Sequence, residues 1–238
     1  MADFKTHLTV GCSAVGIASA CLLAGDAAKP EEIILYFALG SAGAALPDID
    51  SDSSTPLKIT FHVLSLVIAF LVTFSQRLGD TAAEFLIIWA AAYVMVRYLI
   101  FELFTRLTIH RGVFHSIPAG ALFWFIATIA LYRVARVSTL TAWMGGFFVF
   151  IGYIVHLLLD EVYSFDFKNM KAKNSFGTGL KIISLYDIKA TLLLYVATIF
   201  FFWLAPSADP FVRFITNSDF YEAIRFFPRG GWFEGVSY

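Results

Sequence analysis

Long apolar segments separated by short polar links dominate the hydrophobic pattern of this chain. A helix needs roughly 20 apolar residues to cross the hydrocarbon core of a bilayer. Segments of about this length predict membrane-spanning helices near residues 8–25, 32–47, 59–76, 83–105, 116–135, 139–159 and 187–205. The pattern therefore predicts an all-α fold: a polytopic membrane bundle of about seven transmembrane helices.

The two ends of the chain differ from the apolar segments between them. The first apolar segment resembles a signal peptide in length, but "MADFKTH" carries an acid beside its lysine and "LLAGDAAKP" is a poor cleavage site. We therefore expect a retained helix. Beyond the last segment, aromatic residues alternate with arginines and acids, as in an amphipathic interfacial segment. The predicted division is a membrane domain over residues 1–205 and an interfacial tail over 206–238.

Composition supports membrane insertion and argues against other classes. Hydrophobic residues make up 59% of the chain and charged residues 15%, whereas soluble domains are roughly 45–50% apolar. The net charge of −1 leaves no basic excess for a nucleic-acid backbone. Cys12 and Cys21 match no zinc or redox spacing. We expect an integral membrane protein without a nucleic-acid partner.

Polar motifs interrupt the apolar pattern at four places. His7 begins the first predicted span, "LPDIDSDSS" ends the second, "HRGVFHS" links the fourth to the fifth, and "HLLLDE" ends the sixth. If the spans alternate in direction, all these motifs lie at the same membrane face, as does His62 at the start of the third span. Ionisable residues inside membranes usually face an interior or aqueous site. One shared site at that face is the simplest interpretation.

The last motif suggests metal binding. His156 and Asp160 are four residues apart, so their side chains share one face of a helix. Imidazole nitrogen and carboxylate oxygen suit zinc, manganese or iron. The alternative is an ordinary hydrogen bond within the helix.

The "PDID" motif offers two carboxylates after a helix-breaking proline. Asp48 and Asp50 alternate along an extended or turning segment, a geometry that can direct carboxylates back into the bundle. One can ligate or bridge a metal while the other orients a ligand or water. A solvated acidic loop is the alternative.

The "HRGVFHS" motif combines two imidazoles with an arginine. Gly112 permits a tight turn through which His110 and His115 can converge. Arg111 has the planar, forked shape that suits a phosphate or carboxylate, or it caps the turn. His62 is a weaker ligand candidate, because an interfacial histidine needs no metal to be satisfied.

Together these motifs resemble those of the YdjM-type family of bacterial inner-membrane proteins, which are regarded as metal-dependent hydrolases. The resemblance covers residues 5–185, and it rests on "THLTVG", "LPDIDSDSS", "HRGVFHS" and "HLLLDE". That family is in turn distantly similar to zinc-dependent phospholipase C and the S1/P1-type nucleases, which are helical and gather His and Asp around zinc. By this similarity the expected metal ligands are His7, Asp48, Asp50, His110, His115, His156 and Asp160.

The expected activity is hydrolysis of a phosphoester in a lipid or lipid-linked substrate by metal-activated water. We expect two or more divalent cations, zinc first and manganese second. Asp50 and Arg111 are the predicted catalytic residues, and Arg111 and Ser116 the predicted substrate-binding residues. A metal-coupled or proton-coupled transporter, or a metal-stabilised membrane scaffold, is the alternative.

Basic residues predict the orientation. The motif face carries more lysines and arginines than the short loops of the other face, so we expect the site to face the cytoplasm across a bacterial inner membrane.

This topology is testable by cysteine labelling of intact cells, in a background that lacks Cys12 and Cys21. A cysteine placed at position 79 should react with an impermeant reagent, whereas cysteines at positions 53 and 170 should be protected. Labelling at 53 and 170 without labelling at 79 would reverse the predicted orientation.

Overall fold

The structure is a computed structural model that describes residues 4–47, 62, 65–66, 68–70, 72–73, 81–100, 102, 115–166, 171–172, 180–183 and 188–224. Its helices are α1 (Phe4–Ala24), α2 (Pro30–Ala45), α3 (Ala82–Val94), α4 (Ile117–Arg133), α5 (Thr139–Ser164), α6 (Ile188–Leu204), α7 (Asp209–Ile215) and α8 (Ser218–Ala223). A π-helical segment, Met95–Ile100, continues α3. Two-residue strands, β1 (Phe165–Asp166) and β2 (Lys171–Ala172), pair antiparallel after α5. The predicted helical fold class is confirmed.

Local sequence signals begin several of these helices. Pro30 opens α2, and the backbone N–H of Lys29 donates to the Glu32 carboxylate at 3.0 Å. Before α3, the Thr81 N–H donates to the Glu84 carboxylate at 3.0 Å while the Glu84 N–H donates to the Thr81 hydroxyl at 3.3 Å. This reciprocal pair is a capping box, which satisfies two backbone donors at a helix N-terminus.

The number of spans differs from the prediction. By length and composition, α1, the continuous helix Ala82–Leu99 and α5 are able to cross a membrane, and α6 with α7 forms a fourth candidate if the bent pair is one broken span. The 16 residues of α2 and the 17 of α4 are short for a span of roughly 20 residues. Most of the predicted third span, 59–76, lies outside the described residues. Three to four candidate spans are present in the described chain, and seven are not supported.

Helix α5 forms the centre of the bundle. It packs against α1, α2 and α4, and α6 packs on the outer side of α4. The α2–α5 contact is close because Gly40 and Gly43 of α2 and Gly152 of α5 place backbone against backbone. Small residues at helix interfaces permit this approach in membrane bundles. The α1–α2–α5 core therefore combines close backbone contacts at glycines with large buried side chains such as Tyr36 and Phe148.

The chain after α6 turns sharply. Helix α7 is bent by 97° from α6, and Phe211 is buried in a cluster with Trp143. The Trp143 indole N–H donates to the carbonyls of Pro206 and Ser207, each at 3.1 Å. These contacts hold α7 across the N-terminal end of α5. The division into a membrane domain and an interfacial tail remains a prediction.

Substitution of Gly152 by alanine tests the backbone contact. A methyl group there would collide with the Gly40 carbonyl oxygen and lie 2.8 Å from the Ala44 nitrogen. Both atoms are backbone and cannot rotate away, so we expect Gly152→Ala to cost about 1–3 kcal/mol of stability. Thermal unfolding of purified protein in one detergent measures the change.

Gly16→Ala is the matched control, because its methyl would lie 3.6 Å from the Phe37 ring, an ordinary contact. It should unfold at or slightly above the wild-type temperature, since alanine favours a helix over glycine. Equal unfolding temperatures for the two variants would contradict the proposed role of Gly152.

Candidate metal centre

Four polar side chains meet at one end of the bundle, and we call them the metal-site cluster: His7, His115, His156 and Asp160. His7 lies near the start of α1, His115 lies two residues before the start of α4, and His156 and Asp160 lie near the end of α5. Because α1 and α4 begin at this end whereas α5 finishes there, residues distant in sequence become neighbours. The cluster lies where the helices converge.

Asp160 is the central member of the cluster. Its Oδ1 lies 3.2 Å from Nε2 of His7, and its Oδ2 lies 3.8 Å from Nε2 of both His115 and His156. The rings of His7 and His156 stack with centroids 3.7 Å apart. His7, His156 and Asp160 are almost completely buried, with exposed fractions of 1%, 0% and 6%. One carboxylate thus faces three imidazoles in a largely dry environment.

The orientation of His156 is set by α2. Its Nδ1 lies 2.7 Å from the carbonyl oxygen of Ala44. A carbonyl only accepts, so Nδ1 carries the proton, and Nε2 towards Asp160 has a free lone pair when the ring is neutral. Metal-binding histidines usually donate their second ring nitrogen in this way, which fixes the tautomer and the ring plane. His156 is therefore prepared to act as a ligand through Nε2.

The close helix packing places Ala44 at this position. A methyl group at Gly43 would strike the Val149 carbonyl, and one at Gly11 would strike the Ala44 side chain. Both glycines therefore allow α1 and α5 to approach the last turn of α2. Without that approach, the Ala44 carbonyl would not reach the His156 ring.

The geometry of the cluster fits a divalent cation. One donor atom from each of His7, His156 and Asp160 lies within 4.8 Å of the other two. Two ligands of one tetrahedral zinc are about 3.3 Å apart when each bond is about 2.0–2.1 Å. The two 3.8 Å separations exceed hydrogen-bond length, and His115 Nε2 is buried without a hydrogen-bond partner among the described residues. The residues therefore fit a metal ion better than a hydrogen-bonded network.

Electrostatics also favours a neutral His115. Burial lowers the pKa of His115, and the neighbouring His7 and Lys181 act in the same direction, whereas the Asp160 carboxylate opposes them. A neutral imidazole is the form that binds a metal. His115 therefore remains available as a ligand at neutral pH.

The other sequence-predicted residues fall into two groups. Ser116 is buried beside His115, in the position that precedes α4. His62 is exposed, and its Nδ1 lies 2.8 Å from the Tyr93 hydroxyl, so its observed partner is a tyrosine and the cluster does not contain it. The predicted residues that lie outside the described part of the chain are Asp48, Asp50, His110 and Arg111.

Two participants in the site were not predicted. The carbonyl of Ala44 has no sequence signature, because every residue has one. The backbone of Lys181 pairs with that of Ser116, the residue next to His115, in a parallel β-bridge. Its position in the "GLKIIS" stretch after the last motif was the one available signal.

Comparison with known proteins supports a membrane protein. Residues 1–209 match the family described as YdjM inner membrane protein. No curated protein and no solved structure matches the chain. The similarity to zinc-dependent phospholipase C remains a prediction.

Metal content tests the cluster directly. We expect purified protein that has never met a chelator to carry at least one divalent cation per chain, and Asp160→Asn and His156→Ala each to lose most of it. Elemental analysis of the intact protein gives the stoichiometry. The physical reason is that His156→Ala removes one of three buried donors, whereas Asp160→Asn removes the negative charge that attracts the cation.

His62→Ala is the control, because this exposed histidine bonds to Tyr93 instead of joining the cluster. Its metal content should equal that of the wild type. Less than one metal per wild-type chain, or equal loss in the control, would refute the site.

Proposed function

The chain belongs to the YdjM inner membrane protein family, and from this premise we propose that it is a membrane-embedded, metal-dependent hydrolase that cleaves a phosphoester of a lipid or lipid-linked substrate. The observation that carries the proposal is the buried group of His7, His156 and Asp160, whose donor atoms can share one ion. A bare carboxylate among apolar helices would be costly to bury.

We assign His7, His115, His156 and Asp160 to the first cation. We assign Asp48, Asp50 and His110, from their motifs, to a centre of two or more zinc or manganese ions. A divalent cation bound there supplies Lewis acidity towards the phosphate and an activated water. The mixture of nitrogen ligands with carboxylates that can bridge supports zinc as the first choice.

The depth of the site supports an amphiphilic substrate. Asp160 lies four residues before the end of α5 at Ser164, which corresponds to about 6 Å along the helix axis. His7 is similarly close to the start of α1. A site at this depth meets the phosphate of a lipid headgroup more readily than it meets a soluble molecule in bulk water. We therefore propose phosphodiesters or phosphomonoesters of membrane lipids as substrates.

The chain's own groups have distinct proposed tasks. Arg111 binds the phosphate through its guanidinium, and Ser116 helps to hold the substrate beside His115. Asp50 accepts a proton from the attacking water at its carboxylate. The Ala44 carbonyl holds His156 in one tautomer, which keeps the ligand geometry preorganised.

The transporter alternative receives less support. In the described part of the chain, the core beyond the metal-site cluster contains a large apolar group that includes Val15, Tyr36, Phe148 and Trp143. A transporter needs polar groups along a path through the membrane, whereas the described cluster lies at one end. We propose that this end faces the cytoplasm in a multi-pass arrangement.

Hydrolysis is tested with full-length protein reconstituted into vesicles of bacterial lipid extract. We expect release of water-soluble phosphorylated headgroup or free phosphate that stops with chelator and returns with zinc or manganese. Asp160→Asn should lower the rate about 100-fold or more, because the negative charge at the centre of the cluster is lost, while His62→Ala should keep the wild-type rate.

One result would replace this proposal. If metal-loaded protein leaves every phospholipid and prenyl phosphate intact while it moves a metal ion across the vesicle membrane, the chain is a transporter.

A further inference from the structure

A lysine that the motifs do not include is held beside the metal-site cluster. The segment 180–183 runs next to the start of α4, where the backbones of Lys181 and Ser116 pair in a parallel β-bridge. The backbone N–H of Ile117 donates to the Lys181 carbonyl at 3.0 Å. Because His115 directly precedes Ser116, the backbone of Lys181 lies beside the rim of the metal centre.

Two further contacts hold this segment in place. Leu180 packs against the core cluster that contains Tyr153 and Leu157 of α5. The Tyr195 hydroxyl of α6 donates to the Ile182 carbonyl at 3.1 Å. Lys181 is thus anchored on both sides along the chain, which limits how far its backbone can move from His115.

The charge of Lys181 is placed where a cation is unexpected. Its side chain is half-buried, and its backbone pairs with that of Ser116, the residue next to His115. Among the residues that the structure describes, no carboxylate pairs with this ammonium. A cation next to a metal centre is unfavourable unless an anion lies between them. The arrangement therefore favours an anionic ligand at this rim.

We propose that Lys181 is an anion-binding residue of the metal centre, where its ammonium binds a nonbridging oxygen of a phosphate group. The inference rests on the proposed hydrolase function for the identity of the anion as a substrate phosphate. Lysine binds phosphate as a compact point charge with three donors, which suits a group that also contacts a metal. Lys181 is a substrate-positioning residue in this scheme, with no part in proton transfer.

Binding of inorganic phosphate to metal-loaded, full-length protein in detergent tests this role by titration calorimetry. Lys181→Gln should weaken phosphate binding about tenfold, as expected for the loss of one charge-assisted contact. Lys181→Arg should restore most of the affinity. Lys189→Gln, at an exposed lysine in the first turn of α6, should behave as wild type. Metal content should be unchanged in all three variants.

Kinetics on vesicles of bacterial lipid provides a second measurement. Lys181→Gln should raise KM about tenfold with a smaller effect on kcat, because positioning is lost while the metal centre remains. Loss of metal in Lys181→Gln would show a structural role and overturn the inference. So would unchanged phosphate affinity, or a wild-type protein that binds no phosphate.

The two proposals can fail separately. If the wild type binds phosphate through Lys181 but hydrolyses no lipid, the hydrolase proposal fails and the anion site stands. If lipid hydrolysis is present while Lys181→Gln retains wild-type phosphate affinity and KM, the Lys181 inference alone is wrong.

Discussion

The contact on which the site depends is the close approach of α2 and α5. Gly40, Gly43 and Gly152 remove the side chains that would separate the two backbones. As a result the last turn of α2 reaches α5, and the Ala44 carbonyl accepts the Nδ1 proton of His156. A side chain at any of these glycines would separate the two helices and move the Ala44 carbonyl away from the His156 ring. The packing of α2 against α5 therefore also sets the orientation of the His156 ring.

The metal-site cluster in turn explains how a carboxylate is tolerated among apolar helices. Asp160 is 6% exposed and faces the Nε2 atoms of His7, His115 and His156. A buried charge is stable only when it is paired or coordinates a metal. A cation shared with the imidazoles would satisfy Asp160, because His7, His156 and Asp160 each offer a donor atom within 4.8 Å of the others. The same polar groups would then also stabilise this end of the bundle.

The opposite end of the bundle has a different character. There Trp143 donates to the carbonyls of Pro206 and Ser207, and Phe211 of α7 packs between Trp143 and Trp124. Aromatic side chains with one polar atom suit a membrane interface, where an apolar body and a hydrogen bond are both available. This end joins the C-terminal helices to the core, while the other end holds the metal-site cluster.

The sequence by itself determined what depends on local spacing. Apolar segments identified a helical membrane protein, and the interval between His156 and Asp160 placed both on one helix face because a helix repeats every 3.6 residues. The motifs also predicted that His7 and His115 share a site with that pair, and in the structure both lie near Asp160.

Only the tertiary structure decided the rest. Hydrophobicity does not distinguish a helix buried against protein from one that faces lipid, so α2 and α4 were counted as spans although both are short and pack on α5. Three contacts join residues distant in sequence: His62 with Tyr93, the Ala44 carbonyl with His156, and the backbone of Lys181 with that of Ser116. Such contacts arise when helices pack, because the distance between two side chains in space is set by the fold and not by their separation along the chain.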